Sequence, residues 1–170
     1  MEYRIGIGKD SHRFLAESEI GGVEQCRAKP LVLGGVVVPN GRPFKAHSDG
    51  DVVFHAVFNA IASALGEESI GKFFPDTDVR EAGRDSAEYL SFIVARGAER
   101  GFDVQNVSIV IECREPKIDP LAGPIKVRLA ELLRVEPERI GITATTGEGM
   151  TPWGQGQGVE VSCSVLLCAE

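Results

Sequence analysis

The sequence predicts an α+β fold, a two-layer α/β sandwich in which one mixed sheet carries its helices on one face. Three observations lead there. Strand-like segments rich in β-branched residues alternate with helix-like segments of ten or more residues. From Gly158 to Cys168 the pattern alternates: Val159, Val161, Cys163, Val165 and Leu167 share one face, and Glu160, Ser162 and Ser164 share the other, so one side packs while the other meets polar surroundings. The 170 residues, 43% hydrophobic and 25% charged, suffice for a single domain, 1–170, with its own core and no disulfide or metal staple.

Tyr3 to Lys9, rich in Ile and Gly, reads as the first strand, and Leu31 to Pro39, bounded by Pro30 and Pro39, as the second. The stretch between them, including Glu17 to Lys29, reads as a loop or insertion. Ser48 to Leu65 is a helix: Val52, Ala56, Ile61 and Leu65 fall near helical spacing, Ser48-x-x-Asp51 opens it and Gly66 stops it. Asp85-x-x-Glu88 starts a second helix with Leu90, Ile93, Val94 and Ala98 on one stripe and Gly101 beyond its end. Val104 to Glu112 follows as a strand. Asp119-Pro120 supplies a cap and a proline at the first position of a third helix, whose apolar residues are Leu121, Ile125, Leu129, Leu132 and Leu133. Ile140 to Ala144 is the next strand.

Eighteen Lys+Arg against 25 Asp+Glu give a net charge of −7, the wrong sign for gripping nucleic acid and unfavourable at an anionic membrane surface. No apolar run approaches the roughly 20 residues of a transmembrane helix, and the segment after Met1 has no signal or transit pattern, so the expectation is a cytoplasmic protein. Cys26, Cys113, Cys163 and Cys168 form no C-x-x-C pair and read as reduced, mostly buried thiols.

The chemistry concentrates around three histidines, His12, His47 and His55, each accompanied by carboxylates. Asp10-x-His12 lies just past the first strand, and extended spacing turns both side chains to one side, where an oxygen and a nitrogen can converge on a metal. With His55 as third ligand, the O,N,N set leaves a tetrahedral zinc one open position, the arrangement of a catalytic site. Structural readings stand beside these: a loop aspartate bonding its own backbone, a half-buried helix histidine, and Ser48 or Asp49 capping the helix. That same helix start, with His47 beside it, is also a fair seat for a phosphate. Phe74-Pro75-Asp76-Thr77-Asp78 reads alone as a turn, and Ala144-Thr145-Thr146-Gly147-Glu148-Gly149 as a strand end with a flexible loop. Gly154-x-Gly156-x-Gly158 precedes a strand instead of opening a helix, so it is not a dinucleotide-binding turn.

Taken together, Arg4-Ile5-Gly6-x-Gly8-x-Asp10-x-His12-Arg13-Phe14, Ala46-His47-Ser48-Asp49-Gly50-Asp51 with His55, Ile70-Gly71-Lys72 into Phe74 to Asp78, Pro116-Lys117, and Ala144-Thr145-Thr146-x-Glu148 resemble the 2-C-methyl-D-erythritol 2,4-cyclodiphosphate synthase family in order and spacing over nearly the whole chain. The resemblance implies a homotrimer with active sites at subunit interfaces, serving the non-mevalonate route to isoprenoids. It implies cyclisation of 4-diphosphocytidyl-2-C-methyl-D-erythritol 2-phosphate with loss of CMP, formally a phosphorus-oxygen lyase step. By position, Asp10, His12 and His55 match the family's zinc ligands, and Glu148 matches a carboxylate holding Mg2+ or Mn2+ on the diphosphate. His47 and Thr146 match residues that steady the transition state, with Ser48 beside His47. Cys113 to Asp119, with Pro116, Lys117 and Ile118, match the loop around cytosine. Phe74, Pro75, Asp76, Thr77 and Asp78 match the segment facing the methylerythritol phosphate, and Thr145, Gly147 and Gln155 join the substrate contacts.

Departures from the family pattern are local. Ser69 stands before Ile70-Gly71 where the family usually has an aspartate meeting the ribose hydroxyls, with Glu68 the adjacent carboxylate. Gly147 replaces a threonine, and Gln155 and Gln157 replace an arginine and an acidic residue of the late glycine-rich segment, removing the arginine that would pair an anion on the trimer axis. The alternative is a catalytically silent relative that binds a nucleotide or an isoprenoid diphosphate, against which the intact Asp10, His12, His55 and Glu148 speak.

Overall fold

The computed structural model describes residues 1–16, 30–46, 48–75, 77–78 and 83–170. The insertion from Glu17 to Lys29, with Cys26, lies outside the described residues, as do His47 and Asp76. In chain order the elements are β1 (Glu2–Arg13), β2 (Leu31–Leu33), β3 (Val36–Val38), α1 (Val52–Leu65), α2 (Ile70–Phe73), α3 (Ser86–Glu99), β4 (Asp103–Glu112), α4 (Asp119–Leu133), β5 (Ile140–Thr145) and β6 (Gly158–Ala169).

Four strands make one mixed sheet in the order β1-β6-β4-β5. Strand β6 is antiparallel to both β1 and β4, while β4 and β5 run parallel, with α4 between them in sequence. The alternation of β6 is realised as read: Val159, Val161, Cys163, Val165 and Leu167 are buried, and Glu160, Ser162 and Ser164 are half-buried on the other face. Helices α1, α3 and α4 press Phe58, Ile61, Leu90, Ile93, Ile125 and Leu129 into the buried side. Full burial of such a side chain contributes about 1.5–3 kcal/mol, so this single layer of contacts dominates the fold's stability.

Strand β1 inverts the usual rule. Its inward positions are Gly6 and Gly8, while Ile5 and Ile7 project from the open face, 73% and 71% exposed. The cause is the approach of α1. A Cβ on Gly6 would overlap the carbonyl oxygen of Ala60 and one on Gly8 that of Ala56, so helix and strand touch backbone to backbone through small residues. Strand β1 also runs further than the sequence suggests, carrying Asp10 and His12 inside it.

The run Leu31 to Pro39 is not one strand but a hairpin of β2 and β3. Gly34 and Gly35, with φ of +57° and +75°, form its two-residue turn, a left-handed conformation that matches the strand twist. Neither Ser48 nor Asp49 caps α1. Gly50 turns the chain away with φ +76°, and Asp51 Oδ1 accepts from the N–H groups of Val53 at 3.1 Å and Phe54 at 3.2 Å. The same carboxylate accepts from Gly34 N at 2.8 Å and Gly35 N at 2.6 Å, fastening the hairpin turn to the helix start. Burial pushes the Asp51 carboxyl above its ordinary range; the N–H groups of Gly35, Gly34 and Phe54 draw it down, and Asp49 adds to the rise. In α3 the predicted cap holds, Asp85 accepting from Ala87 N at 2.8 Å, but Gly97 is buried where Ala98 had been expected. Helix α4 takes Ile118 as its cap residue and Asp119 as its first helical residue.

Candidate functional site

The alternation of β1 continues past its glycines, so Asp10 and His12 stand on the same face as Gly6 and Gly8, looking at α1. The close contact at Ala56 brings the preceding residue, His55, over them. His55 Nδ1 lies 3.0 Å from Asp10 Oδ2 and 3.3 Å from His12 Nε2, and His12 Nε2 lies 3.3 Å from the same Asp10 oxygen. Ligand atoms about 2.0–2.1 Å from one tetrahedral ion stand roughly 3.3 Å apart, so this triangle has the size of one face of such a site. One oxygen and two imidazole nitrogens suit a borderline cation such as zinc better than a hard ion that takes only oxygen. Among the described residues these three form the one cluster able to hold a metal ion.

Around the triad lies a cavity of about 440 Å³ lined also by Lys45, Ala46, Ser48, Ile70, Gly71, Phe74 and Tyr89. Its wall is aromatic: Phe74 and Tyr89 rings meet at 4.5 Å, and the Arg84 guanidinium covers both at 5.4 Å. Asn59 on α1 fixes the neighbouring helix by accepting from Ile70 N at 3.0 Å. Ser69 precedes that helix, exposed and without a side-chain cap bond, and Pro75 and Thr77 are exposed in the turn beyond. Asp78, half-buried, donates its N–H to Pro75 O at 2.9 Å.

The other predicted residues gather elsewhere. Cys113 N bonds Thr145 O at 3.1 Å and Cys113 Sγ approaches Pro116 O at 3.4 Å, tying the end of β4 and its loop to the end of β5. Beyond β5, Gly147, Glu148 and Gly149 all have positive φ, +53°, +53° and +71°, a left-handed turn that leaves Glu148 exposed. Thr146 is exposed too, and its carbonyl accepts from Gly149 N at 3.0 Å. Pro116, Lys117 and Gln155 border a second cavity of about 550 Å³ with Phe14 and Arg42, and Gln155 Nε2 donates to Gly149 O at 3.0 Å. Ile118 is buried and Asp119 exposed. Since β1 and β5 are the two edges of the sheet, the Asp10 triad and Glu148 are separated by two intervening strands, roughly 14 Å of sheet width.

Four residues about the site receive no functional role from the sequence: Asp49, Ser86, Lys45 and Tyr89. His55 Nε2 lies 2.9 Å from Ser86 Oγ, and that hydroxyl bonds Asp49, whose other oxygen accepts Ser86 N–H at 3.0 Å. Asp49 shows in the sequence as a capping candidate and as a member of the Ala46-to-Asp51 motif without a role of its own, and Ser86 merely follows a cap. Lys45 and Tyr89 line the cavity without belonging to any motif.

Comparison with known proteins agrees with this arrangement. The family model described as YgbB family matches residues 3–168. The chain is 40% identical over 165 residues, 97% of its length and 88% of the relative's, to the 2-C-methyl-D-erythritol 2,4-cyclodiphosphate synthase of Chlamydia muridarum. Its structure superposes on a bifunctional IspDF from Campylobacter jejuni with a TM-score of 0.88 and 32% identity, covering 99% of this chain and 43% of that longer one. IspF of Plasmodium falciparum in complex with CDP gives a TM-score of 0.81 and 28% identity over 99% of this chain and 97% of that one. A mixed sheet with helices on one face, a D-x-H strand closed by a helix histidine, and matches spanning nearly every residue place the chain in the YgbB family, that of the 2-C-methyl-D-erythritol 2,4-cyclodiphosphate synthases.

Proposed function

We infer that the protein converts 4-diphosphocytidyl-2-C-methyl-D-erythritol 2-phosphate to 2-C-methyl-D-erythritol 2,4-cyclodiphosphate and CMP, a lyase step in isoprenoid precursor synthesis. The observation that carries this is the Asp10, His12 and His55 triangle, 3.0–3.3 Å on a side, in a chain of this family. An oxygen of the 2-phosphate attacks the β-phosphorus, the bond from that phosphorus to the bridging oxygen breaks, and CMP departs with the bridging oxygen. An eight-membered ring results, with no water consumed.

Such a transfer needs in-line positioning and charge neutralisation more than covalent help. The chain's net charge of −7 makes local neutralisation necessary. Asp10, His12 and His55 hold the first ion, read as zinc from the ligand set, and Glu148 contributes to holding a magnesium or manganese ion. Bound there, the two cations supply positive charge to the phosphate oxygens as the β-phosphorus is attacked. Phe74 and Tyr89 wall the cavity; by their positions in the family pattern, Phe74, Pro75, Asp76, Thr77 and Asp78 are assigned to the methylerythritol phosphate, Ser69 with Ile70 and Gly71 to the ribose, and Ser48 to the substrate beside His47. Cys113, Pro116, Lys117, Ile118 and Asp119 enclose the cytosine, with Thr145 and Gly147 beside it. His47 and Thr146 steady the charge that develops in the transition state.

Because Glu148 and the triad occupy opposite edges of one subunit, a complete site joins the β1 edge of one copy to the β5 edge of the next, which a closed homotrimer accomplishes. The open face of the sheet, where exposed Ile5 pairs with Leu166 and exposed Ile7 with Ser164, lines the threefold axis, and the family resemblance assigns Gln155 near it. Among the described residues no helix is long and apolar enough to cross a membrane, and the net charge is wrong for nucleic acid, in keeping with a cytoplasmic single-domain enzyme acting on a small molecule.

Phosphorus NMR of the protein incubated with the diphosphocytidyl substrate, zinc and magnesium tests the whole reading. Appearance of CMP with a cyclic diphosphate is the expected result. Inorganic phosphate would make it a hydrolase, and bound but unchanged substrate would make it a catalytically silent relative.

A further inference from the structure

His55 has two ring nitrogens with different tasks: Nδ1 faces Asp10 and His12, and Nε2 faces Ser86 Oγ at 2.9 Å. Which of them carries the proton decides whether the ring offers a lone pair to an ion. The answer lies one and two residues further out. Ser86 is fully buried, and its hydroxyl bonds Asp49 Oδ1. As a carboxylate Asp49 only accepts, and it already takes the N–H groups of Ser86 at 3.0 Å and Asp51 at 3.1 Å. The single hydroxyl proton of Ser86 therefore points to Asp49. What remains at Ser86 Oγ is a lone pair, and the only complement to it on the ring is a protonated Nε2. Nδ1 is then bare and stands 3.0 Å from an Asp10 oxygen, two acceptors facing one another, a juxtaposition that a shared cation relieves.

We propose that Asp49, acting through Ser86, is a positioning residue that fixes the tautomer and orientation of His55, so that Nδ1 is presented to the ion shared with Asp10 and His12. This rests on the metal reading given above. Outer partners of this kind orient a ligating imidazole and raise its basicity; here a hydroxyl stands between carboxylate and imidazole. The same contacts bind the start of α3 to the loop before α1, so the two elements that flank the cavity are registered on the ligand itself.

The experiment is a cobalt(II) titration of the metal-free full chain, read by visible absorption of the bound ion, for the unsubstituted protein and for Ser86→Ala, Asp49→Ala and the double variant, each checked by far-UV circular dichroism. Ser86→Ala keeps the backbone contact to Asp49 but leaves Nε2–H without its acceptor, and affinity should fall about tenfold, at the low end of what outer-partner losses cost. In Asp49→Ala the Ser86 hydroxyl loses its acceptor and turns its proton on Nε2, driving the ring proton to Nδ1. Affinity should fall further, toward about 100-fold, with an altered spectrum. Removing that hydroxyl as well should then restore affinity to the Ser86→Ala level, a recovery that a scaffold role does not give. Unchanged affinity and spectrum in Ser86→Ala, or a double variant that binds no more tightly than Asp49→Ala, overturns the proposal while leaving the metal site intact. An unsubstituted protein that takes up no cobalt overturns both. If Asp49→Ala fails to fold, the Ser86→Ala titration decides alone.

Discussion

A Cβ on Gly8 would overlap the carbonyl oxygen of Ala56, the residue that follows His55 in α1. The distance from strand to helix, and with it the closure of the Asp10, His12 and His55 triangle, depends on a hydrogen atom occupying that place. Gly8→Ala should push α1 outward, destabilising the fold by at least about 1–3 kcal/mol, because the obstacle is backbone and no rotamer change removes it. Urea unfolding and zinc content, measured together, should fall together; a variant with unaltered midpoint and full zinc would show that the contact positions nothing.

His55→Ala should lose bound zinc and CMP release at once, yet keep its far-UV circular dichroism, since the core is built by α1, α3 and α4 against the sheet and not by the ion. Glu148→Gln, exposed at the opposite edge, should keep zinc and lose most of its activity. Zinc retained at one per chain in His55→Ala with normal turnover would remove the triad from the mechanism.

Ile5 and Ile7 present an apolar strip on the open face of β1, 73% and 71% exposed in a single chain. In the proposed trimer this strip is covered by neighbouring subunits. Light scattering should report a trimer, and Ile5→Lys with Ile7→Lys should yield monomers whose helix content is unchanged, because neither side chain touches the core. A monomeric unsubstituted protein at micromolar concentration would contradict the assembly.

The buried thiols give a prediction in pH. Burial pushes Cys163 up from 9.0 to about 12, and burial pushes Cys113 up to about 11, with Lys117 drawing it back and Glu112 adding to the rise. A thiol with a folded pKa above its unfolded value favours the folded state fully below pH 9.0, and that contribution disappears as pH climbs through 11 to 12. At pH 8 only about one Cys113 in a thousand is thiolate, so iodoacetamide should label Cys113 and Cys163 of the native protein far more slowly than after unfolding. Mass spectrometry of the labelled peptides reads this directly; rapid labelling of Cys163 in native protein would mean that its burial is not what holds the proton.

Much of this architecture is legible in the chain because it is local. The stripe of α3, the alternation of β6 and the D-x-H spacing each declare themselves within a few residues. What escapes is decided by partners far along the chain. Nothing near Ile5 says that Gly6 faces inward; that follows from Ala60, met across the fold. Asp51 reads as one acid among several in His47-Ser48-Asp49-Gly50-Asp51, and only the turn at Gly34 and Gly35 reveals it as the fully buried fastening point. Asp49 and Ser86 are 37 residues apart, and neither belongs to a pattern that hydrophobic period or ligand spacing detects. The hairpin of β2 and β3 was hidden for a different reason: its two glycines sit in a run apolar enough to pass for one continuous strand.

The placement of the triad on β1 and of Glu148 beyond β5, at opposite edges of the same sheet, has a consequence for mixtures. Where each site takes its triad from one subunit and its carboxylate from the neighbour, two inactive variants can rescue one another. Mixed by unfolding and refolding in equal amounts, His55→Ala and Glu148→Gln subunits combine at random, and about one interface in four pairs an intact triad with an intact carboxylate. Neither parent has any such interface. Activity born from two dead proteins, near a quarter of the full value, is the signature of a site that no single chain owns.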